Sequence, residues 1–282
     1  MSDRAMEDND KADARGSGQK ATPRLDAAVG QATSLAVTLN YQAEFAIRYC
    51  TIIFYGRKLS NDRCEVKSAG TGTLISTGRK KLIVTNDHVL AGYEGLASTT
   101  DGIHFQVGRA AFDPHERLID RNALSDLCTF DAEGLDINDR LEIDPVPTLG
   151  FYDAQGWPPE PPEVGDVVLW AGFPSSLKHI DKNTRFNVPL TFIGATVTRV
   201  GGRFIVSNLN PDRKNLVVHY GDGLDSQSEA LKELGGMSGG PAFVDRKWSV
   251  RPDLIAVISE YDPVVNQMRM SRLDAALCFS IA

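Results

Sequence analysis

Residues 236–241 read Gly236-Met237-Ser238-Gly239-Gly240-Pro241, and the choice of fold turns on that hexapeptide. Glycines on both sides of one serine let the backbone turn tightly and approach a bound carbonyl closely. The amides of Gly236 and Ser238, with that of Met237 as a third candidate, can then converge on a developing oxyanion, each donor being worth roughly 2.7–4 kcal/mol. A Gly-x-Ser-x-Gly pattern also marks the strand-to-helix elbow of hydrolases built on a parallel sheet. Those enzymes place their base after the nucleophile, in the order Ser, acid, His. All five histidines of this chain, at 88, 104, 115, 179 and 219, precede Ser238. The parallel-sheet reading therefore fails, and the order that remains is His, Asp, Ser.

Two segments upstream supply the missing members. His88 closes the run Leu82-Ile83-Val84-Thr85-Asn86-Asp87-His88-Val89, an apolar strand that ends at a polar step. That position supports an imidazole on the core side and opens it to a cleft on the other. His115 sits in a turn-forming Asp-Pro-His-Glu-Arg stretch, and His104 and His219 alternate within strands. Asp126 precedes the apolar run Leu127-Cys128-Thr129-Phe130, where a carboxylate at a strand start can accept from an imidazole and fix its tautomer. Asp120 and Asp131 are its rivals on sequence grounds.

The rest of the chain reads as an all-β protein. Residues 1–35 are polar and charged with few large apolar side chains, and are expected to form a disordered tail. Beyond them come short runs rich in Val, Ile, Thr and Phe, separated by Gly, Pro, Asn and Asp, the spacing of a sandwich or barrel. Strands are expected at Phe45–Tyr55, Gly70–Ser76, Lys81–Thr85, Asp166–Gly172, Leu190–Val200, Arg203–Ser207, Asn215–Tyr220, Gly240–Val244 and Leu254–Ser259. Helix is scarce: a short one could cover Leu25–Leu35 within the tail, a turn is expected at His88–Leu90, and a short terminal element at Ser271–Cys278. The segment 156–162 carries four prolines in seven residues, which bars it from a sheet interior and makes it the candidate link between 36–155 and 156–282.

Charge and composition exclude several functions. The formal net charge of −7 gives a nucleic-acid partner no support from bulk electrostatics. No run approaches the roughly 20 apolar residues needed to span a bilayer, and the first residues lack the apolar stretch of a secretory signal. A cytoplasmic, reduced setting is expected. The four cysteines, at 50, 64, 128 and 278, show no zinc spacing. Cys50 and Cys64 could meet across a hairpin, although scattered cysteines read more simply as small buried thiols.

With these segments in view, the chain resembles the trypsin-like serine peptidases, in particular the bacterial branch without disulfides. The family's His motif, Thr-x-x-His-Val, is matched by Thr85-Asn86-Asp87-His88-Val89. Its Asp-Leu followed by an apolar strand is matched by Asp126–Phe130, and its Gly-x-Ser-Gly-Gly-Pro by Gly236–Pro241. Gly70–Ile75 looks like the strand before the His, and Ala171-Gly172-Phe173-Pro174 like a turn early in the second barrel. The resemblance covers residues 45–262. It implies two six-stranded antiparallel barrels, with His88 and Asp126 on the first, Ser238 on the second and the triad in the cleft between them. It implies hydrolysis of a protein or peptide through an acyl-enzyme, with no metal or organic cofactor. The primary pocket would lie near Lys232–Gly235 and Ile258–Glu260, where Lys232 could favour acidic side chains and Glu233 or Glu260 basic ones. One departure stands out: where the digestive branch has an acidic residue before the serine, this chain has Met237. Activity is therefore expected to be intrinsic or set by a protein partner, not by release of a buried N-terminus. A fold kept as a silent binding module, and an esterase with the same triad, are the competing readings.

Overall fold

The computed structural model describes residues 41–58, 64–138, 148–154, 157–175, 179–180, 186–187, 190–209, 217–220, 234–246 and 251–274. The expected tail at 1–35 lies outside them. The first described element is a helix, α1 (residues 41–48). A strand was expected from Phe45, but Gln42, Ala43, Ala46 and Ile47 are the buried positions, a period of about 3.6 residues and not of two. The strand begins only at Cys50.

Seven strands form the first sheet: β1 (Cys50–Lys58), β2 (Cys64–Ser76), β3 (Lys81–Thr85), β4 (Ile103–Val107), β5 (Ala110–Phe112), β6 (Leu118–Asn122) and β7 (Leu127–Asp131). They lie in the order β5-β4-β1-β2-β3-β7-β6, with β8 (Tyr152–Asp153) added parallel to β2. Its interior is filled by Ile53, Leu74, Ile83, Phe105 and Phe130. Among the described residues no pairing joins β5 to β6, so this sheet curls without closing. The β1–β2 ladder pairs Cys50 with Thr73 and Lys58 with Cys64, which puts the two cysteines at opposite ends of the hairpin and rules out a bridge between them.

Two helices decorate this sheet. α2 (Asp87–Ala97) runs for three turns where one was expected at His88–Leu90. Val89 and Leu90 are buried and Tyr93 and Leu96 half-buried against the same core, a helical stripe that Gly92 and Gly95 obscure in the sequence. Gly92 lets the helix approach β1 closely: a Cβ there would sit 2.3 Å from the Tyr55 hydroxyl, which would have to move. α3 (Pro114–Arg117) is one turn, opened by Asp113 accepting from the His115 amide at 2.9 Å.

The second sheet closes on itself. Its strands are β9 (Val167–Gly172), β12 (Leu190–Val200), β13 (Phe204–Asn208), β14 (Val217–Tyr220), β15 (Pro241–Asp245), β16 (Asp253–Asp262) and β17 (Gln267–Arg272), with β10 (His179–Ile180) and β11 (Phe186–Asn187) as a separate ribbon. The order β13-β17-β16-β15-β9-β12 returns to β13, a six-stranded antiparallel barrel. Trp170, Ile193, Ile255, Met268 and Met270 pack inside it. β17 takes Ser271 and Arg272, where a terminal helix was expected, because the ladder to β16 continues through them after Met268 and Met270 alternate into buried space with Arg269 exposed between them; residues 275–282 lie outside the description. The fold is thus a mostly-β double barrel of the chymotrypsin kind. No helix among the described residues is long and apolar enough to cross a membrane.

A shared core holds the two halves together. Ile75, Leu82, Val84 and Leu127 from the first sheet meet Leu169, Phe192, Phe243 and Leu254 from the second. α1 seals its base: Phe45 meets Phe243 edge to face at 5.2 Å between centroids, Tyr49 meets Tyr152 at 5.5 Å, and the Gln42 amide donates to the buried Asp245 carboxylate. The proline-rich segment, described from Trp157, connects β8 to β9. Arg246 of the second barrel donates to the carbonyls of Glu160 and Pro161 at 3.0 and 2.8 Å and so fastens it down.

Candidate active site

β3 delivers the chain to the opening of α2, and His88 lies on the first helical turn. Val89 and Leu90 anchor that turn in the core while the His88 side chain stays 51% exposed. Asp126 lies in the tight connection from β6 to β7, in a left-handed conformation with φ of 51°. A non-glycine residue there is strained and must be held. Asn86 provides one hold, its fully buried amide donating to the Asp126 carbonyl at 2.8 Å.

The Asp126 carboxylate gathers three donors. The His88 ring Nδ1 lies 2.9 Å from Oδ2 and 3.1 Å from Oδ1, the His88 amide donates to Oδ1 at 3.1 Å, and the Ser259 hydroxyl donates to Oδ2 at 2.7 Å. Burial alone would raise the carboxyl pKa, but the hydrogen bonds from His88 and Ser259, with the charge attraction of His88, outweigh it and hold the group below its ordinary value. Of the rivals, Asp131 accepts from the Glu133 amide at 2.8 Å and Asp120 is half-buried on β6; among the described residues neither bonds to His88. Cys128 is no alternative nucleophile. Its thiol donates to the Asn86 carbonyl at 3.4 Å, and burial pushes its pKa far up.

Ser238 sits on the loop 234–240, whose shape depends on its glycines. Gly236 and Gly239 have φ of 92° and 90°. A Cβ on Gly239 would lie 2.0 Å from the Thr71 carbonyl oxygen and 2.2 Å from Thr85 Oγ1. Gly239→Ala is therefore expected to cost at least about 2 kcal/mol of stability, from left-handed strain added to overpacking, measured as a lowered denaturation midpoint. The first barrel holds this loop directly: the Thr71 amide donates to the Ser238 carbonyl at 2.8 Å, and the Thr73 hydroxyl to that of Gly239 at 2.7 Å. β16 holds it from the other side through Gly239 N to Ile258 O at 2.7 Å.

The backbone donors are distributed unequally. The Met237 amide is committed to the Leu234 carbonyl at 3.3 Å, and its side chain is fully buried in the second barrel. The amides of Gly236 and Ser238 donate to no acceptor among the described residues. The Gly235 carbonyl accepts from the Ser175 amide, so the N–H of Gly236, on the opposite edge of the same planar peptide, faces away from that contact.

Ser238 and His88 line one cleft of about 830 Å³, together with Asp126, Leu124, Phe204, Tyr261 and Arg269. No hydrogen bond joins Ser238 Oγ to His88; the hydroxyl donates to the Ser259 carbonyl at 3.1 Å. Ser259 thus touches both Ser238 and Asp126, a role invisible in the sequence, where it reads only as part of a pocket wall. On the rim Arg269 stacks over the Phe204 ring at 3.6 Å and faces Glu260 at 3.8 Å. Lys232 and Glu233 lie outside the described residues. Among the described residues no group of three His, Cys, Asp or Glu side chains is placed to hold a metal.

The profile of the trypsin-like peptidase domain matches residues 70–251, more than half of the chain. The chain belongs to that family, and its fold is that of a chymotrypsin-type peptidase. A search of curated proteins found no match.

Proposed function

We propose that this protein is a serine endopeptidase in which Ser238 attacks the scissile carbonyl, His88 serves as general base and then general acid, and Asp126 orients the imidazole. The observation that carries the reading is the bond from His88 Nδ1 to the Asp126 carboxylate beside a serine lining the same cleft. With Nδ1–H engaged by Asp126, Nε2 is the ring atom left to accept the Ser238 proton. Attack forms the C–O bond of a tetrahedral intermediate whose oxyanion takes hydrogen bonds from the Gly236 and Ser238 amides. His88 returns the proton to the amine nitrogen as the C–N bond breaks, and the amine leaves. Water then attacks the acyl-enzyme by the same route, releasing the acid and restoring the Ser238 hydroxyl.

A second reading, a cleft that rests inactive until a protein partner reshapes it, draws on one observation. The Ser238 hydroxyl points to the Ser259 carbonyl and not to His88, so a rotation about its Cα–Cβ bond must precede attack. Purified protein treated with a fluorophosphonate probe separates the two. Labelling of Ser238 in the isolated protein supports an intrinsically active enzyme. No labelling alone, with labelling after addition of a partner, supports the gated one, and none under either condition removes the peptidase reading.

A further inference from the structure

One side chain of the first barrel reaches the loop that presents the Gly236 amide. Thr71 lies on β2 and is fully buried. Its hydroxyl uses both its capacities across the interface between the barrels. It accepts from the Phe173 amide at 3.1 Å and donates to the Gly236 carbonyl at 2.8 Å. Its own carbonyl accepts from the Thr85 hydroxyl at 2.7 Å, which ties it to the strand that delivers His88. Phe173 belongs to the same turn as Ser175, whose amide holds the Gly235 carbonyl. Two consecutive carbonyls, those of Gly235 and Gly236, are therefore fixed by donors outside their own loop. Gly236 itself lies so close to that turn that a Cβ would meet the Phe173 carbonyl oxygen at 2.7 Å.

The geometry is specific in a way that burial alone would not require. With φ near 90°, Gly236 can rotate its flanking peptides with little steric penalty, so its conformation must be set from outside. The Thr71 hydroxyl holds the 236–237 peptide through the Gly236 carbonyl, and the Ser175 amide holds the 235–236 peptide through the Gly235 carbonyl. The Gly236 N–H lies on the 235–236 peptide, so the Ser175 amide sets its direction, and Thr71 supports it indirectly, by accepting from the Phe173 amide of the same turn and by fixing the peptide that follows. We propose that Thr71 is a positioning residue of the oxyanion site: from the opposite barrel its hydroxyl braces both peptides that flank Gly236, the second directly and the first through the Phe173 turn, so the hole is formed only when the two barrels are in register. This inference rests on the peptidase reading for its catalytic consequence, while its structural content stands apart from turnover.

The test uses the full chain and the rate of fluorophosphonate labelling at increasing probe concentration. Thr71→Val keeps the volume and removes the hydroxyl. It is expected to slow the maximal labelling rate by about tenfold to a hundredfold, short of the ~10²–10³ lost when an oxyanion donor is deleted outright. The half-saturating probe concentration and the pH dependence should stay as in the wild type, because the cleft wall, His88 and Asp126 are untouched. Thr71→Ser, which restores the hydroxyl, should recover most of the rate. Should the valine variant not fold, Thr71→Ala reads the same loss. Labelling at the wild-type rate without the hydroxyl, or a serine variant as slow as the valine one, overturns the proposal. If the wild type labels neither alone nor with a partner, the peptidase reading falls, and crystal structures of the wild type and Thr71→Val decide the positioning claim alone. A 235–236 peptide that turns in the variant, redirecting the Gly236 N–H, supports it, and one that keeps its direction overturns it.

Discussion

Ser238→Ala is expected to lower kcat for peptide hydrolysis about a millionfold, the scale on which loss of a triad nucleophile acts, with KM little changed. The substitution removes one oxygen whose only hydrogen bond among the described residues goes to the Ser259 carbonyl. It leaves the loop's glycines and backbone bonds in place. The stability cost should therefore be about 1 kcal/mol, the net worth of one hydrogen bond, and the variant should still bind peptide. His88→Ala should cost a similar factor, and the double variant no more than either alone, because the two residues act as one unit. Initial rates and probe labelling, measured beside a denaturation curve for each variant, check this. A Ser238→Ala protein that keeps a thousandth of the wild-type rate would mean that another group attacks, and the assignment of the nucleophile would be lost.

Asp126→Asn is expected to lower kcat about ten-thousandfold at neutral pH. The carboxylate accepts from the His88 ring, the His88 amide and the Ser259 hydroxyl, while an amide offers one accepting oxygen and turns a donor toward one of those groups. The imidazole would then be favoured in the tautomer that presents N–H, not a lone pair, to Ser238. A second readout follows from the lowered pKa of Asp126. Because its folded value lies below its ordinary value of 3.8, its charge stabilises the fold fully above that pH, and the contribution is lost as pH falls through the depressed folded value. The gap in melting midpoint between wild type and Asp126→Asn should be constant near neutrality and shrink as pH is taken down to about 3. A gap that does not change with pH would falsify the account of what holds this carboxylate charged.

Much of this was legible in the sequence because three short motifs carry strong local constraints. Gly236–Pro241 specifies a turn that only glycines can make, and counting the histidines removes the competing fold. Strands such as Lys81–Thr85 and Leu190–Val200 announce themselves through β-branched content and flanking breakers. What was missed has a common cause. α1 carries Ala43, Ala46 and Ile47 at helical spacing, yet Phe45 and the strand that follows blur its edge. α2 hides behind Gly92 and Gly95, whose low helix propensity is overridden by the packing of Val89, Leu90, Tyr93 and Leu96 against the first core. Ser259 and Thr71 could not be found by motif at all. Each acts on residues far away along the chain, and only the juxtaposition of the two barrels brings a serine of β16 to Asp126 and a threonine of β2 to Gly236.

That division of labour has a consequence for how the protein is made. During synthesis the His88 and Asp126 segment leaves the ribosome well before the Ser238 loop, and domains generally fold in the order in which they emerge. On the proposed assignment, a first barrel that has just folded would carry a base and its orienting acid but nothing to activate. The serine loop bonds to Thr71 and Thr73, which lie on the segment synthesised earlier. Nascent chains crowded on one message would therefore be unable to cleave one another, and hydrolytic competence would come only with the last strands of each molecule.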